Sequence, residues 1–148
     1  LLIVFNRPEK TQKLFDVIKK IKPKHLYVSC DGPRNNNTQD IKLCSDVRKI
    51  FEKIDWECNF NKIYNEKNKS CKINVIDSIN WFFNNEEKGI ILEDDCIPDL
   101  TFFNFCKILL EKYEFNGVSL RKINREHDIS DKEKTFNNSN APLNNSRH

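Results

Sequence analysis

The chain has three glycines in 148 residues, no methionine, no cysteine pair at the C-x-x-C spacing and no long apolar run. Each shortage excludes something. With only Gly32, Gly89 and Gly117 available, neither the G-x-x-x-x-G-K-[S/T] phosphate loop nor the G-x-G-x-x-G dinucleotide turn can be assembled. Without C-x-x-C, a structural zinc cage is not expected from Cys30, Cys44, Cys58, Cys71, Cys96 and Cys106. The widely spaced cysteines read instead as small buried hydrophobes in a reducing compartment, with Cys44, Cys71 and Cys106 on apolar helix faces. No stretch approaches the roughly 18–20 apolar residues of a membrane span. A net charge of +3, with lysines scattered along the chain, gives no basic stripe for nucleic acid. Position 1 already lies inside an apolar run, so the start reads as a trimmed chain or gene fragment, and any signal peptide would have been lost with it. The four N-x-[S/T] triplets, at Asn36, Asn68, Asn137 and Asn144, carry little weight in so asparagine-rich a chain.

What is present alternates between short apolar runs and helical stripes. LLIVF (1–5) reads as a buried strand, followed by Asn6-Arg7-Pro8-Glu9 as a helix start with proline in its first turn. Leu14, Ile18 and Ile21 repeat at helical spacing. His25–Cys30 reads as a second strand, stopped by Asp31-Gly32-Pro33, and Cys44, Val47, Phe51 and Ile54 form a second helical stripe. A weaker third strand runs from Cys58 to about Tyr64, and a third helix carries Val75, Ile79 and Phe82 with Ile76 and Phe83 beside them. Gly89 opens the strand GIIL. Pro98-Asp99 then caps a fourth helix with Phe102, Cys106, Leu109 and Tyr113 on one face. Phe115–Leu120 allows one more short strand, and residues 121–148 read as a polar, disordered tail. The expected fold class is therefore α/β: a three-layer sandwich with a mainly parallel sheet in residues 1–120.

Strand carboxyl ends are where such sheets collect ligands. That places Asn6 and Arg7, Asp31, and the run Glu93-Asp94-Asp95 along one edge. Three adjacent acids directly after a buried strand repel one another and are costly to desolvate. One reading is a solvated strand end eased by the following helix dipole. The other is a grip on a hard divalent cation, Mg²⁺ or Mn²⁺, which takes oxygen ligands. A phosphoreceiver domain does not fit, because its paired acids end the first strand and here three strands precede them.

The segments IVFNRPEKT (3–11), YVSCDGPR (27–34), SCKINVIDSINWFF (70–83) and GIILEDDCIPDLTFFNFC (89–106) resemble glycosyltransferases of the GT-A fold. The resemblance is to bacterial nucleotide-diphospho-sugar transferase-like proteins and to N-acetylglucosaminyltransferases with a Glu-Asp-Asp version of the DXD motif. It covers residues 1–113, the donor-binding half. It implies a metal-dependent transferase that binds a nucleotide-diphosphate sugar, most commonly a UDP-sugar, and passes the sugar to a glycan or protein acceptor that the sequence does not identify. By resemblance Asp95 is the metal ligand, supported by Glu93, and Asp94 contacts the ribose or a metal-bound water. Asn6, Arg7, Asp31, Asn68 and Lys72 contact the nucleotide-sugar, with Arg7 on phosphate or base and Asp31 on base or ribose. Relatives often carry Asn-x-Gly where this chain has Asn68-Lys69-Ser70.

No catalytic base is assigned. Glu126, His127 and Asp128 are the only titratable cluster after the acids, and they lack an expected scaffold. The alternatives are a catalytically inactive nucleotide-sugar-binding remnant or a plain α/β interaction module. Cysteine usage and family habit point to a bacterial cytoplasm, or to its inner-membrane periphery.

Overall fold

The computed structural model describes residues 1–112 and 117–120. The expected tail, Tyr113 and the Glu126-His127-Asp128 cluster lie outside the described residues.

The elements follow in the order β1 (Leu2–Val4), α1 (Pro8–Ile21), β2 (His25–Cys30), α2 (Thr38–Ile50), β3 (Asn59–Tyr64), α3 (Cys71–Phe83), β4 (Gly89–Glu93), α4 (Leu100–Lys112) and β5 (Gly117–Leu120). Local chemistry sets most of the helix starts. Pro8 enters α1 where its missing N–H costs nothing. The Asn37 side chain accepts from the Asp40 N–H to cap α2, and Asp99 Oδ1 accepts from the Thr101 N–H ahead of α4. The first strand is shorter than expected, because Phe5 and Asn6 already turn towards the helix.

All strand pairs are parallel, and the sheet runs β3-β2-β1-β4-β5. β1 lies between β2 and β4, with Leu2 opposite both Val28 and Leu92. The connection from β3 to β4 therefore crosses back over the sheet. The reversal leaves a crevice beyond the carboxyl ends of β1 and β4, the usual ligand position in sheets of this topology.

Apolar side chains cover both faces. On one, Leu2, Val4, Val28, Cys30 and Leu92 pack with Leu14, Phe15 and Ile18 of α1 and Val47 and Ile50 of α2. On the other, Ile3, Tyr27 and Ile91 pack against Phe82, with Val75, Ile79 and Trp81 beside it. The alternation of Leu2/Ile3/Val4 between the faces is the period-two signature of a strand covered on both sides.

Two expectations about helix faces need correction. The buried positions of α3 are Asn74, Ser78 and Phe82, whereas Ile76 is exposed. The Ser78 hydroxyl bonds to the Ser29 hydroxyl of β2 at 2.6 Å and to the Asn74 carbonyl, so a polar residue occupies a core position without an unmet bond. Cys71, expected on the apolar face, is exposed because it is the first residue of the helix and precedes that face. Cys44 and Cys106 are buried as expected, and all six cysteines are free thiols. No helix among the described residues is long and apolar enough to cross a membrane.

Candidate functional site

At the crevice lies an open cleft of about 400 Å³ lined by residues from every strand end around it: Asn6 and Arg7 after β1, Asp31 and Arg34 after β2, Asn68 before α3, and Glu93 and Asp94 at the end of β4. Phe5, Cys71 and Asn74 complete the polar and aromatic parts of the wall. Of the residues singled out in the sequence, Asp95 and Lys72 are not among those lining it. Lys72 is exposed on the first turn of α3. Asp95 adjoins the cleft through its bond from Arg7, which lines it.

The acids are held by an arginine. Arg7 Nε and Nη2 form a two-pronged pair with Asp94 Oδ2 and Oδ1, and Nη1 donates to Asp95 Oδ2 at 3.2 Å. A planar guanidinium matches a carboxylate in this way and a lysine cannot. Asp94 is only 1% exposed. Burial pushes its carboxyl above the usual range in spite of Arg7, and the neighbouring Asp95 charge adds to the shift.

Asp31 is also engaged. It accepts from the backbone N–H of Gly32 at 2.8 Å and of Lys69 at 3.0 Å, and from Asn68 Nδ2 at 2.9 Å and Asn65 Nδ2 at 3.4 Å. The carboxylate thus staples the loop between β3 and α3 onto the end of β2. Asn68, expected beside the diphosphate, lines the cleft while donating to Asp31 and to the Gly32 carbonyl. Asn65 Nδ2 also donates to Asn74 Oδ1 at 2.9 Å, which extends the network into the first turn of α3.

The Asn68-Lys69-Ser70 segment is strained at its third residue. Ser70 has φ 72° and ψ 153°, a backbone conformation that suits glycine and strains any residue with a Cβ. Its side chain makes no cap bond to α3 in return. Ser70→Gly is therefore expected to stabilise the protein by about 1 kcal/mol, read as a higher melting temperature. An unchanged or lower value would show that the serine conformation is not strained.

Two cleft features escaped sequence reasoning: Arg34, and the Asp40 that holds it. Asp40 stands at the third position of α2, where an acid ordinarily reaches back to the cap residue. Here its side chain instead takes Arg34 and Asn6, at 2.6 Å to Arg34 Nε and 2.8 Å to Asn6 Nδ2. Arg34's hydrogen bonds hold the Asp40 carboxyl far below the usual carboxylate range. The spacing of an acid six residues after an arginine at a strand end was the available signal, and it is a faint one.

A divalent cation would draw on the acids at the end of β4. Asp94 has both oxygens engaged by Arg7. Asp95 has one oxygen on Arg7, and the other receives a long 3.8 Å contact from the Cys96 thiol. No group of three His, Cys, Asp or Glu side chains among the described residues is placed to hold a metal. The residues that would hold such an ion are Asp95 and Glu93, of which Glu93 lines the cleft. No protein-family model, no curated protein and no solved structure matches the chain.

Proposed function

We propose that this chain forms the nucleotide-diphosphate-sugar-binding half of a GT-A-type, metal-dependent glycosyltransferase. The observation that carries the reading is the cleft at the point where the strand order reverses, walled by two arginines and a set of amides. Its size suits a nucleotide, and amides with guanidinium forks suit a sugar and phosphates. The charge balance supports a cation arriving with the ligand. Arg7 and Arg34 are outnumbered by Asp31, Asp40, Glu93, Asp94 and Asp95, each of which lines the cleft or bonds one of those arginines. An anionic diphosphate entering so acidic a site would be stabilised by the charge of a Mg²⁺ or Mn²⁺ ion held there. Bound there, the ion would stabilise the negative charge of a departing nucleoside diphosphate. The chain's own residues bind and orient: Asp95 and Glu93 would hold the cation, Arg7 is fixed by Asp94, and Asn68 and Asn74 shape the wall.

Cys71 supplies a built-in reporter, since it lines the cleft and is the exposed thiol of the six. UDP with Mn²⁺ is expected to slow alkylation of Cys71 by N-ethylmaleimide at least fivefold, and Asp95→Ala to remove the part of that protection that depends on Mn²⁺. Alkylation at an unchanged rate in millimolar UDP and Mn²⁺ would reject the reading.

A further inference from the structure

Arg34 follows the Asp-Gly-Pro turn after β2, and its side chain is 58% exposed. An arginine so placed ordinarily samples many rotamers, and fixing it costs side-chain entropy. Here Nε and Nη2 end on Asp40 at 2.6 and 3.0 Å, and its backbone N–H reaches the same carboxylate at 3.2 Å. The guanidinium carbon lies 5.8 Å from the centroid of the Phe5 ring, over its face. Asp40 is itself buried, takes a further bond from Asn6, and has its backbone N–H held by Asn37. The loops after β1 and β2 and the first turn of α2 thus converge on one buried carboxylate, and together they fix one solvent-facing guanidinium at the cleft wall.

The pair buries the acid and leaves the base facing solvent at the cleft wall. Arg34 and Arg7 are the two basic side chains lining the cleft among the described residues. Arg7 has three of its N–H groups committed to Asp94 and Asp95, while Arg34 commits two side-chain N–H groups to Asp40. Of the five N–H donors a guanidinium carries, roughly three are left on Arg34 for a ligand.

We infer that Arg34 is a phosphate-binding residue of the cleft, and that Asp40 is the positioning residue that orients its fork toward a phosphoryl group. The inference rests on the reading of the cleft as a nucleotide-diphosphate site and adds to it the residue that discriminates a diphosphate from a bare nucleoside.

Calorimetric titration of the full chain with UDP, uridine and inorganic pyrophosphate, each with Mg²⁺, tests both levels separately. Arg34→Ala is expected to weaken UDP and pyrophosphate at least tenfold and to leave uridine unchanged. Arg34→Lys, which keeps the charge and loses the fork, is expected to weaken both at least threefold, and Asp40→Asn to follow the same pattern. Should Arg34→Ala fail to fold, Arg34→Lys decides alone. Undiminished UDP binding in the folded Arg34 variants would overturn the inference and leave the nucleotide reading standing. Equal weakening of UDP and uridine would also overturn it, by marking a structural role. Arg34-dependent pyrophosphate binding with no gain for UDP would keep the inference and reject the nucleotide. Absence of binding by all three probes to the unaltered protein would reject both.

Discussion

Replacing Arg7 by alanine is expected to destabilise the protein by about 2–3 kcal/mol, at or below the low end for breaking a buried ion pair because Arg7 itself is 41% exposed. For a chain of this size that corresponds to a fall in melting temperature of about 6–9 °C. The cost arises at Asp94, which would remain buried with both of its guanidinium N–H bonds gone. Two measurements separate this cause from lost packing. Adding Asp94→Asn to the Arg7→Ala protein should recover most of the loss, since it removes the uncompensated charge. The deficit should also shrink as pH falls from 7 towards 4. The folded-state carboxyl is already raised above its unfolded value by burial, and losing Arg7 raises it further. A carboxyl raised in the folded state costs nothing below its unfolded pKa, and destabilises progressively as pH rises through the folded one. A deficit that is constant across this window would place the effect elsewhere.

Gly32→Ala should be at least as damaging, at about 3 kcal/mol. A Cβ at Gly32 would stand 2.4 Å from the Lys67 carbonyl carbon and 2.5 Å from its nitrogen, both backbone atoms that cannot rotate aside. The loop carrying Lys67 would have to retreat. With it would go the bonds from Asn68 and Lys69 to Asp31, which tie that loop to the end of β2. The variant should therefore lose stability and UDP-dependent protection of Cys71 together. A protein that melts near the unaltered temperature would mean the two loops are not in contact as described.

How far the sequence disclosed all this depends on what kind of signal each feature left. Strands and helices were legible because short apolar runs are fenced by prolines, asparagines and the three glycines, and the parallel sheet follows from their alternation. On α3 the expected Val75, Ile79, Phe82 and Phe83 do pack against the sheet, while Ile76 does not. Nothing local reveals that Ser78 finds a hydroxyl across the sheet at Ser29, 49 residues away. The acids at the end of β4 were legible as a cluster, but their partner was not. Arg7 and Asp94 are 87 residues apart, and only the sheet order brings β1 beside β4. Lys72 lies outside the cleft lining for a geometric reason: the turn of α3 that offers Cys71 and Asn74 to the cleft leaves Lys72 exposed. Arg34 and Asp40 lay inside a loop that reads as ordinary polar chain, and a buried carboxylate among exposed neighbours has no compositional mark.

β3 has one further consequence. It pairs with β2 on one side and, among the described residues, with no strand on the other, leaving a six-residue row of backbone groups at the sheet margin. Such margins invite recruitment of strands from other molecules. Lys62, exposed at mid-strand with its ammonium over the Phe60 and Tyr64 rings, and the asparagines at 59 and 61 put charge and amide where an apolar row would be adhesive. The strand that ends the sheet thus carries on its own surface the side chains that oppose self-association.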